Sequence, residues 1–197
     1  MDRDRYEQAI AAFDRANAED PIRLEDAGVS RPRELVQAER LSAWVERLAP
    51  EASEALRLAA RCQHIRRWQI PRGSYPTGRV GYLQWRTELS RFHADTAARI
   101  LEELGYEREL IDAVRRINLK QGLRSNPDTQ TMEDALCLEF LEFEFDAFSR
   151  KYPAEKVLEI VQKTWKKMSP RGHELALKLP LSAHALELVT RALSPLD

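Results

Sequence analysis

Apolar residues recur at the three- and four-residue spacing of a helix in segment after segment of this sequence, and this periodicity constrains the fold most. In the first segment Tyr6, Ala9, Ile10 and Phe13 fall on one helical face. Only 7 glycines occur in 197 residues, while Ala, Leu, Glu and Arg, which favour helices, are frequent. The sequence therefore predicts an all-α fold.

Turn and capping residues separate the periodic segments. A loop is expected between Asp20 and Pro32, and a second one, IPRGSYPTG, after the third helix. Neither an internal repeat nor a linker interrupts the chain, so one helical domain over residues 1–197 is predicted. The predicted helices span 4–17, 32–48, 50–64, 80–104, 107–120, 130–151, 153–168, 170–178 and 181–193.

Composition excludes several classes of partner. A formal charge of -1 gives no global basic field, so no nucleic-acid binding is expected. The charged start MDRDRYEQAI is unlike a signal peptide, and no stretch approaches the ~18 consecutive apolar residues of a membrane span. Cys62 and Cys137 suggest no disulfide framework. We expect a cytoplasmic protein with no membrane partner, and leave its oligomeric state open.

Charge is nevertheless uneven, so any anion site must be local. Between Arg61 and Arg91 the chain carries 7 arginines and a single acid, Glu88. The predicted helix 130–151 has the opposite character, with an acidic row of Glu139, Glu142 and Asp146. Two apolar stripes flank this row, so the helix is expected to be central. They comprise Leu136, Phe140 and Phe143, and Leu138, Leu141, Phe145 and Phe148.

Buried carboxylates need cationic, hydrogen-bonding or metal partners, and two histidines are the first candidates. His64 ends the third predicted helix and His93 lies inside the fourth, in apolar surroundings. Antiparallel packing of these helices would bring the two together, and we predict that they converge with Glu142 in one pocket. The alternative is that they are core histidines satisfied by hydrogen bonds. The surface is the expected location of His173 and His184.

Further residues would complete this pocket. At least one of Arg66, Arg67 and Arg86 should reach it, since guanidinium groups bind anions through paired hydrogen bonds. The loop 69–79 should cover or border it, with Arg72 and Tyr75 as the residues that reach in.

Almost the whole chain, from FDRANAEDP to the segment that ends HALELV, resembles the bacterial and fungal family known as domain of unknown function 4202. The resemblance rests on EALRLAARCQHIRRW at 54–68, SYPTGRVGYLQWRTELSRFHADTAARIL at 74–101, EDALCLEFLE at 133–142 and KTWKKMSPRGHELAL at 163–177. It implies one coherent fold and brings no activity with it.

AARCQHIRRW also resembles, more distantly, a segment of the HD phosphohydrolases, which are all-α metal enzymes. Their His-Asp pair ends a helix of small residues, and here that pair reads Gln63-His64. Glu39 or Arg40 stands near the position of the first family histidine. The distant acid would be Glu142, or else Glu139 or Asp134. The resemblance implies an HD-like helical bundle with altered ligands.

Two functions follow as expectations. The first is an HD-like hydrolase, possibly degenerate, for a small phosphorylated or nucleotide-like molecule, with His64, His93 and Glu142 as catalytic residues. Mn, Fe or Zn would be held by His64, Glu142 and Gln63. The second is a non-catalytic module that binds an anion or metabolite. In either case the substrate-binding residues would be Arg66, Arg67, Arg72, Tyr75, Arg86 and Lys120.

Overall fold

The computed structural model describes residues 2–194, and these divide into two compact units. Unit 1 ends at Thr129 and unit 2 begins at Gln130. The all-α prediction is confirmed, since helices dominate both units and the strands among the described residues form a single small hairpin. That the whole chain forms one domain stays a prediction.

Unit 1 is built from five helices, one hairpin and the first turn of a sixth helix. Its packing core joins α3 to α1, α2 and α5, and α4 to α1 and α5. Phe13, Trp44, Leu58, Leu101 and Ile117 are fully buried there. The elements are α1 Arg3–Ala18, β1 Arg23–Asp26, β2 Val29–Pro32, α2 Arg33–Leu48, α3 Glu54–Cys62, α4 Gly78–Glu103, α5 Arg108–Asn118 and the start of α6 Pro127–Glu139.

The helix that leads to the candidate site, α3, is shorter than predicted at both ends. The hydroxyl of Ser53 accepts a hydrogen bond from the backbone N–H of Leu56 at 3.0 Å, which caps the helix three residues after Pro50. The helix then ends at Cys62, and the chain turns until Arg66, whose φ of 52° is left-handed. The prediction that His64 ends the helix is therefore wrong by two residues.

A β-hairpin replaces the loop predicted between Asp20 and Pro32. β1 and β2 pair antiparallel in a register that sets Asp26 opposite Val29. The two turn residues, Ala27 and Gly28, have φ of 50° and 80°, so the turn requires left-handed backbone twice. Asp26 also binds Arg31 and Arg40 at 3.2 and 2.8 Å. The first turn position favours Asn or Gly, and because alanine occupies it here, the sequence lacks the usual pattern of a hairpin turn.

Unit 2 contains the helix predicted over 130–151, but with an interruption. α6 ends at Glu139, a π-helical turn covers Phe140–Glu144, and α7 runs Phe145–Lys151. Because a π turn inserts one residue, it rotates the residues that follow by about 100°. One predicted apolar stripe is buried at Leu138, Leu141 and Phe145. The other is not, since Phe143 is 43% exposed, so the expectation of two buried faces is wrong there.

The remainder of unit 2 follows the predicted helices closely. α8 covers Ala154–Trp165, α9 covers Pro170–Ala176 and α10 covers Ala183–Leu193. α10 packs on α8 and α7. Val157 and Val161 of α8 and Leu188 of α10 are buried.

Candidate functional site

His64 and His93 lie side by side in unit 1. Their ring centroids are 5.9 Å apart and the rings meet edge to face. His93 comes from the middle of α4 and is only 3% exposed, whereas His64, just beyond α3, is partly accessible. Two imidazoles from different segments therefore share one location.

The hydrogen bond of His93 determines which of its nitrogens carries a proton. Nδ1 lies 2.7 Å from the carbonyl oxygen of Ile65, and a carbonyl only accepts, so Nδ1 is the donor. Burial is the main reason that the pKa of His93 falls to about 4. The ring is therefore neutral near pH 7, and its Nε2 is a buried acceptor with no hydrogen-bond partner among residues 2–194.

Three cationic side chains act electrostatically on His64. Burial holds the pKa of His64 well below its usual value, and Arg67, His93, Lys120 and Arg86 lower it further. Arg67 lies over the ring of Trp85, with 5.4 Å between guanidinium and centroid. The second feature of this location is therefore that His64 is neutral and is acted on by positive charges.

Gln63 and two polar residues that the sequence did not single out, Thr96 and Asn118, complete it. The amide of Gln63 donates to the backbone carbonyl of Asn118 at 3.5 Å, and the amide of Asn118 donates to Cys62 Sγ at 3.3 Å. Thr96 lies one turn after His93 on α4, and like Asn118 it is almost fully buried. In the part of the chain that the structure describes, Gln63 Oε1, Asn118 Oδ1 and Thr96 Oγ1 are buried without a hydrogen-bond partner. We call Gln63, His64, His93, Thr96 and Asn118 the histidine cluster.

A buried acid lies within the electrostatic range of the same arginine. Glu34, in the first turn of α2, is 1% exposed, and burial raises its pKa. Arg33 binds it at 2.8 Å, and Arg67 also lowers its pKa. Asp20 accepts from the backbone N–H of Glu34 at 3.0 Å and so caps α2. No signal in the sequence marks Glu34, because its burial depends on tertiary packing.

Three residues that the sequence assigned to substrate binding have local partners. Arg66 binds the carboxylate of Glu19 at 3.0 Å. The guanidinium of Arg72 donates to the carbonyls of Tyr75 and Pro76, and the hydroxyl of Tyr75 donates to Glu88 at 2.6 Å. These bonds hold the loop 69–79 in shape, and its role as a cover for the pocket stays a prediction.

The predicted acids belong to unit 2. Glu142 lies in the π turn and is partly buried, and Glu139, at the end of α6, is 8% exposed. The convergence of Glu142 with the histidines stays a prediction. Asp146 binds Arg150 at 2.9 Å and also accepts from the hydroxyl of Ser182, and these bonds lower its pKa.

Asp134, one of the two alternatives to Glu142, has a structural role. Its Oδ1 accepts from the backbone N–H of Ser169 at 2.8 Å and from the amide of Gln130 at 3.1 Å. Its Oδ2 accepts from the hydroxyl of Ser169, and that hydroxyl caps α9 through the N–H of Gly172 at 3.1 Å. Asp134 therefore fixes the start of α9.

Comparison with models of known families shows which family the chain belongs to. The model of the family described as Domain of unknown function (DUF4202) matches residues 7–189. The chain belongs to this family. Comparisons with curated proteins and with solved structures found no match. The DUF4202 match extends across both units, so it includes the histidine cluster and the acids of unit 2 alike.

The HD resemblance and the metal site stay hypotheses. Within the described residues, no three histidine, cysteine, aspartate or glutamate side chains are grouped to hold one metal ion.

The same described residues contain no helix that is both long and apolar enough to cross a bilayer. Cys62 is a buried free thiol, and burial raises its pKa to about 12. Cys62 is therefore an unreactive thiol.

Proposed function

We propose that the histidine cluster, together with Arg67, Arg86 and Lys120, binds a small phosphorylated, possibly nucleotide-like, molecule. The observation that carries the proposal is the pairing of His64 with His93, whose ring centroids are 5.9 Å apart, at a place where Arg67, Arg86 and Lys120 from separate segments lower the pKa of His64. Guanidinium and ammonium groups bind phosphate through charge-assisted hydrogen bonds. The neutral imidazoles add polar contacts without requiring a counter-ion.

Binding without catalysis is the version that the electrostatics favour. A general base works best when its pKa lies near the working pH. The pKa of His93 is about 4 and that of His64 lies well below its usual value, so both rings are weak bases near neutrality. The cluster is therefore better suited to recognising a phosphorylated molecule than to removing a proton from water.

Hydrolysis is the second candidate, and one observation favours it. Histidines that bind metals usually donate their other ring N–H to a carbonyl or carboxylate, as His93 donates to Ile65. In a metal-dependent hydrolase, His93 Nε2 would join the predicted ligands His64, Gln63 and Glu142 in holding a Mn, Fe or Zn ion, which would activate water. The donor set fits a dication poorly, because the amide of Gln63 is a weak ligand and three cations act on His64.

Titration calorimetry with inorganic phosphate, pyrophosphate and a nucleoside monophosphate tests the binding proposal. Arg86→Ala should weaken binding at least about tenfold, since one charge-assisted hydrogen bond contributes about 1.5–3 kcal/mol. Arg79→Ala is the matched control, because Arg79 is also exposed on α4 and is not among the cations that lower the pKa of His64. Failure of all three probes to bind, or equal losses in both variants, would end the proposal.

His64→Ala separates a binding role from a structural one. In a binding site this change should abolish phosphate binding while the melting temperature stays close to that of the wild type. A structural histidine predicts the reverse, a large loss of stability with any remaining folded protein still binding phosphate. Two measurements test hydrolysis by a metal. The first is the metal content of protein purified without chelators. The second is the rate of phosphate release with and without added Mn²⁺.

A further inference from the structure

The histidine cluster has two chemically different parts. One part is the positive field of Arg67, Arg86 and Lys120 around His64. The other part consists of neutral acceptor atoms, namely His93 Nε2, Gln63 Oε1 and Asn118 Oδ1, which are buried and have no hydrogen-bond partner within residues 2–194. A ligand must satisfy these two parts in different ways.

The identity of the acceptors follows from their other hydrogen bonds. The nitrogen of Gln63 must face the carbonyl of Asn118, because an amide oxygen there would repel it. The thiol of Cys62 donates to the carbonyl of Ala59, so its sulfur accepts from the nitrogen of Asn118. His93 donates through Nδ1. In each of the three side chains the remaining atom is therefore an acceptor.

The dianionic phosphate group of a monoester cannot satisfy these acceptors, since it offers acceptor oxygens and no donors. A buried acceptor without a donor costs about 1–3 kcal/mol, so a ligand that supplies hydroxyl or amino hydrogens is strongly preferred. The hydroxyl of Thr96, one turn from His93, can both donate and accept, and suits the same kind of ligand.

We infer that the ligand is a phosphorylated polyhydroxy compound, such as a sugar phosphate, rather than a phosphate ester with an apolar body. This inference rests on the proposed phosphate binding. The phosphate group interacts with the cations, and the hydroxyls of the body donate to Gln63, His93 and Asn118. A site built to hydrogen-bond hydroxyl groups discriminates strongly against an analogue that lacks them.

Calorimetric titration with three probes tests this inference: inorganic phosphate, hexyl phosphate and glucose 6-phosphate. The two esters carry the same charged group and differ in their hydroxyls. Glucose 6-phosphate should bind at least about tenfold more tightly than hexyl phosphate. Gln63→Met removes one acceptor at similar volume and should reduce that ratio at least about threefold. Gln69→Met, at an exposed glutamine six residues later, should leave the ratio unchanged.

The outcomes distinguish the two proposals. If none of the probes binds, the proposed function fails. If inorganic phosphate binds but the two esters bind equally, or if Gln63→Met leaves the ratio unchanged, the buried acceptors are satisfied by water and the inference fails. Thr96→Val keeps the shape of its side chain and gives a second test should Gln63→Met not fold. It should lower the ratio in the same way, and an unchanged ratio would contradict the inference.

Discussion

His93 Nδ1 donates its proton to the carbonyl oxygen of Ile65 at 2.7 Å, and this bond ties the centre of α4 to the turn that follows α3. The bond favours the protonated form, yet burial outweighs it and the pKa of His93 falls to about 4. In the unfolded chain the pKa of His93 returns to about 6.5. The unfolded state therefore binds more protons between these two values.

The first prediction is that His93 makes folding stability depend on pH. Its contribution is complete above about pH 6.5 and is lost as the pH falls towards 4, by a total on the order of 3 kcal/mol. Urea unfolding of the wild type and of His93→Gln at pH 7, 6, 5 and 4 measures it. His93→Gln should show the shallower dependence on pH, and parallel curves for the two proteins would contradict the account.

The hairpin turn supplies the second prediction. A Cβ added at Gly28 would meet no atom within 4 Å, but φ there is +80°. Gly28→Ala should therefore lower the free energy of unfolding by about 1–2 kcal/mol through backbone strain alone. Gly73→Ala is the matched control, since Gly73 is equally open and has no left-handed φ. Equal stabilities of the two variants in urea would show that the turn is not held as described.

Gly81 gives a prediction about the loop 69–79. A Cβ at Gly81 would lie 2.0 Å from the carbonyl oxygen of Pro76, which also accepts a hydrogen bond from Arg72 at 2.9 Å. Gly81→Ala should push this part of the loop away from α4, cost about 1–3 kcal/mol of stability and speed proteolysis between 71 and 77. The same Gly73→Ala protein serves as the control for cleavage. A cleavage rate in Gly81→Ala no faster than in that control would refute the close approach.

In unit 2, Asp134 and Ser169 provide the fourth prediction. Asp134→Asn keeps the volume of the side chain but replaces one acceptor oxygen with a donor that faces Ser169. Because hydrogen bonds to a charged group contribute about 1.5–3 kcal/mol each, we expect a loss of about 2 kcal/mol or more. Asp128→Asn is the comparison, because Asp128 is half-buried near the start of the same helix and accepts a side-chain hydrogen bond only from the hydroxyl of Ser53 among the bonds described. A loss at Asp134 no larger than at Asp128 would argue against its capping role.

The helices were predictable because their signals are local. Apolar spacing predicted α4 to within two residues at each end, and Gly105, with φ of 72°, follows it in the left-handed conformation that favours glycine. The hairpin and the π turn were not predictable, because no local signal in the sequence marks them. Ala27 lacks the turn preference that marks a hairpin, and an inserted residue at Phe140–Glu144 leaves the apolar spacing on either side unchanged.

The candidate site was predictable only in part. The apolar surroundings of His64 and His93 single them out in the sequence. Asn118, Thr96 and Glu34 carry no such mark, because a polar residue at the end or in the middle of a helix is ordinarily exposed. Their burial arises where helices distant in sequence pack together, and single-sequence patterns do not contain that information.

Long-range ¹H–¹⁵N spectra of the histidine side chains test the central claim most directly, since the chain has only 4 histidines. At about pH 7 His93 should be neutral with its proton on Nδ1. Saturating inorganic phosphate should shift the ring signals of His64, while those of His173 and His184 in unit 2 stay in place. Phosphate that leaves His64 unmoved, or that shifts all four rings alike, would contradict binding at the histidine cluster.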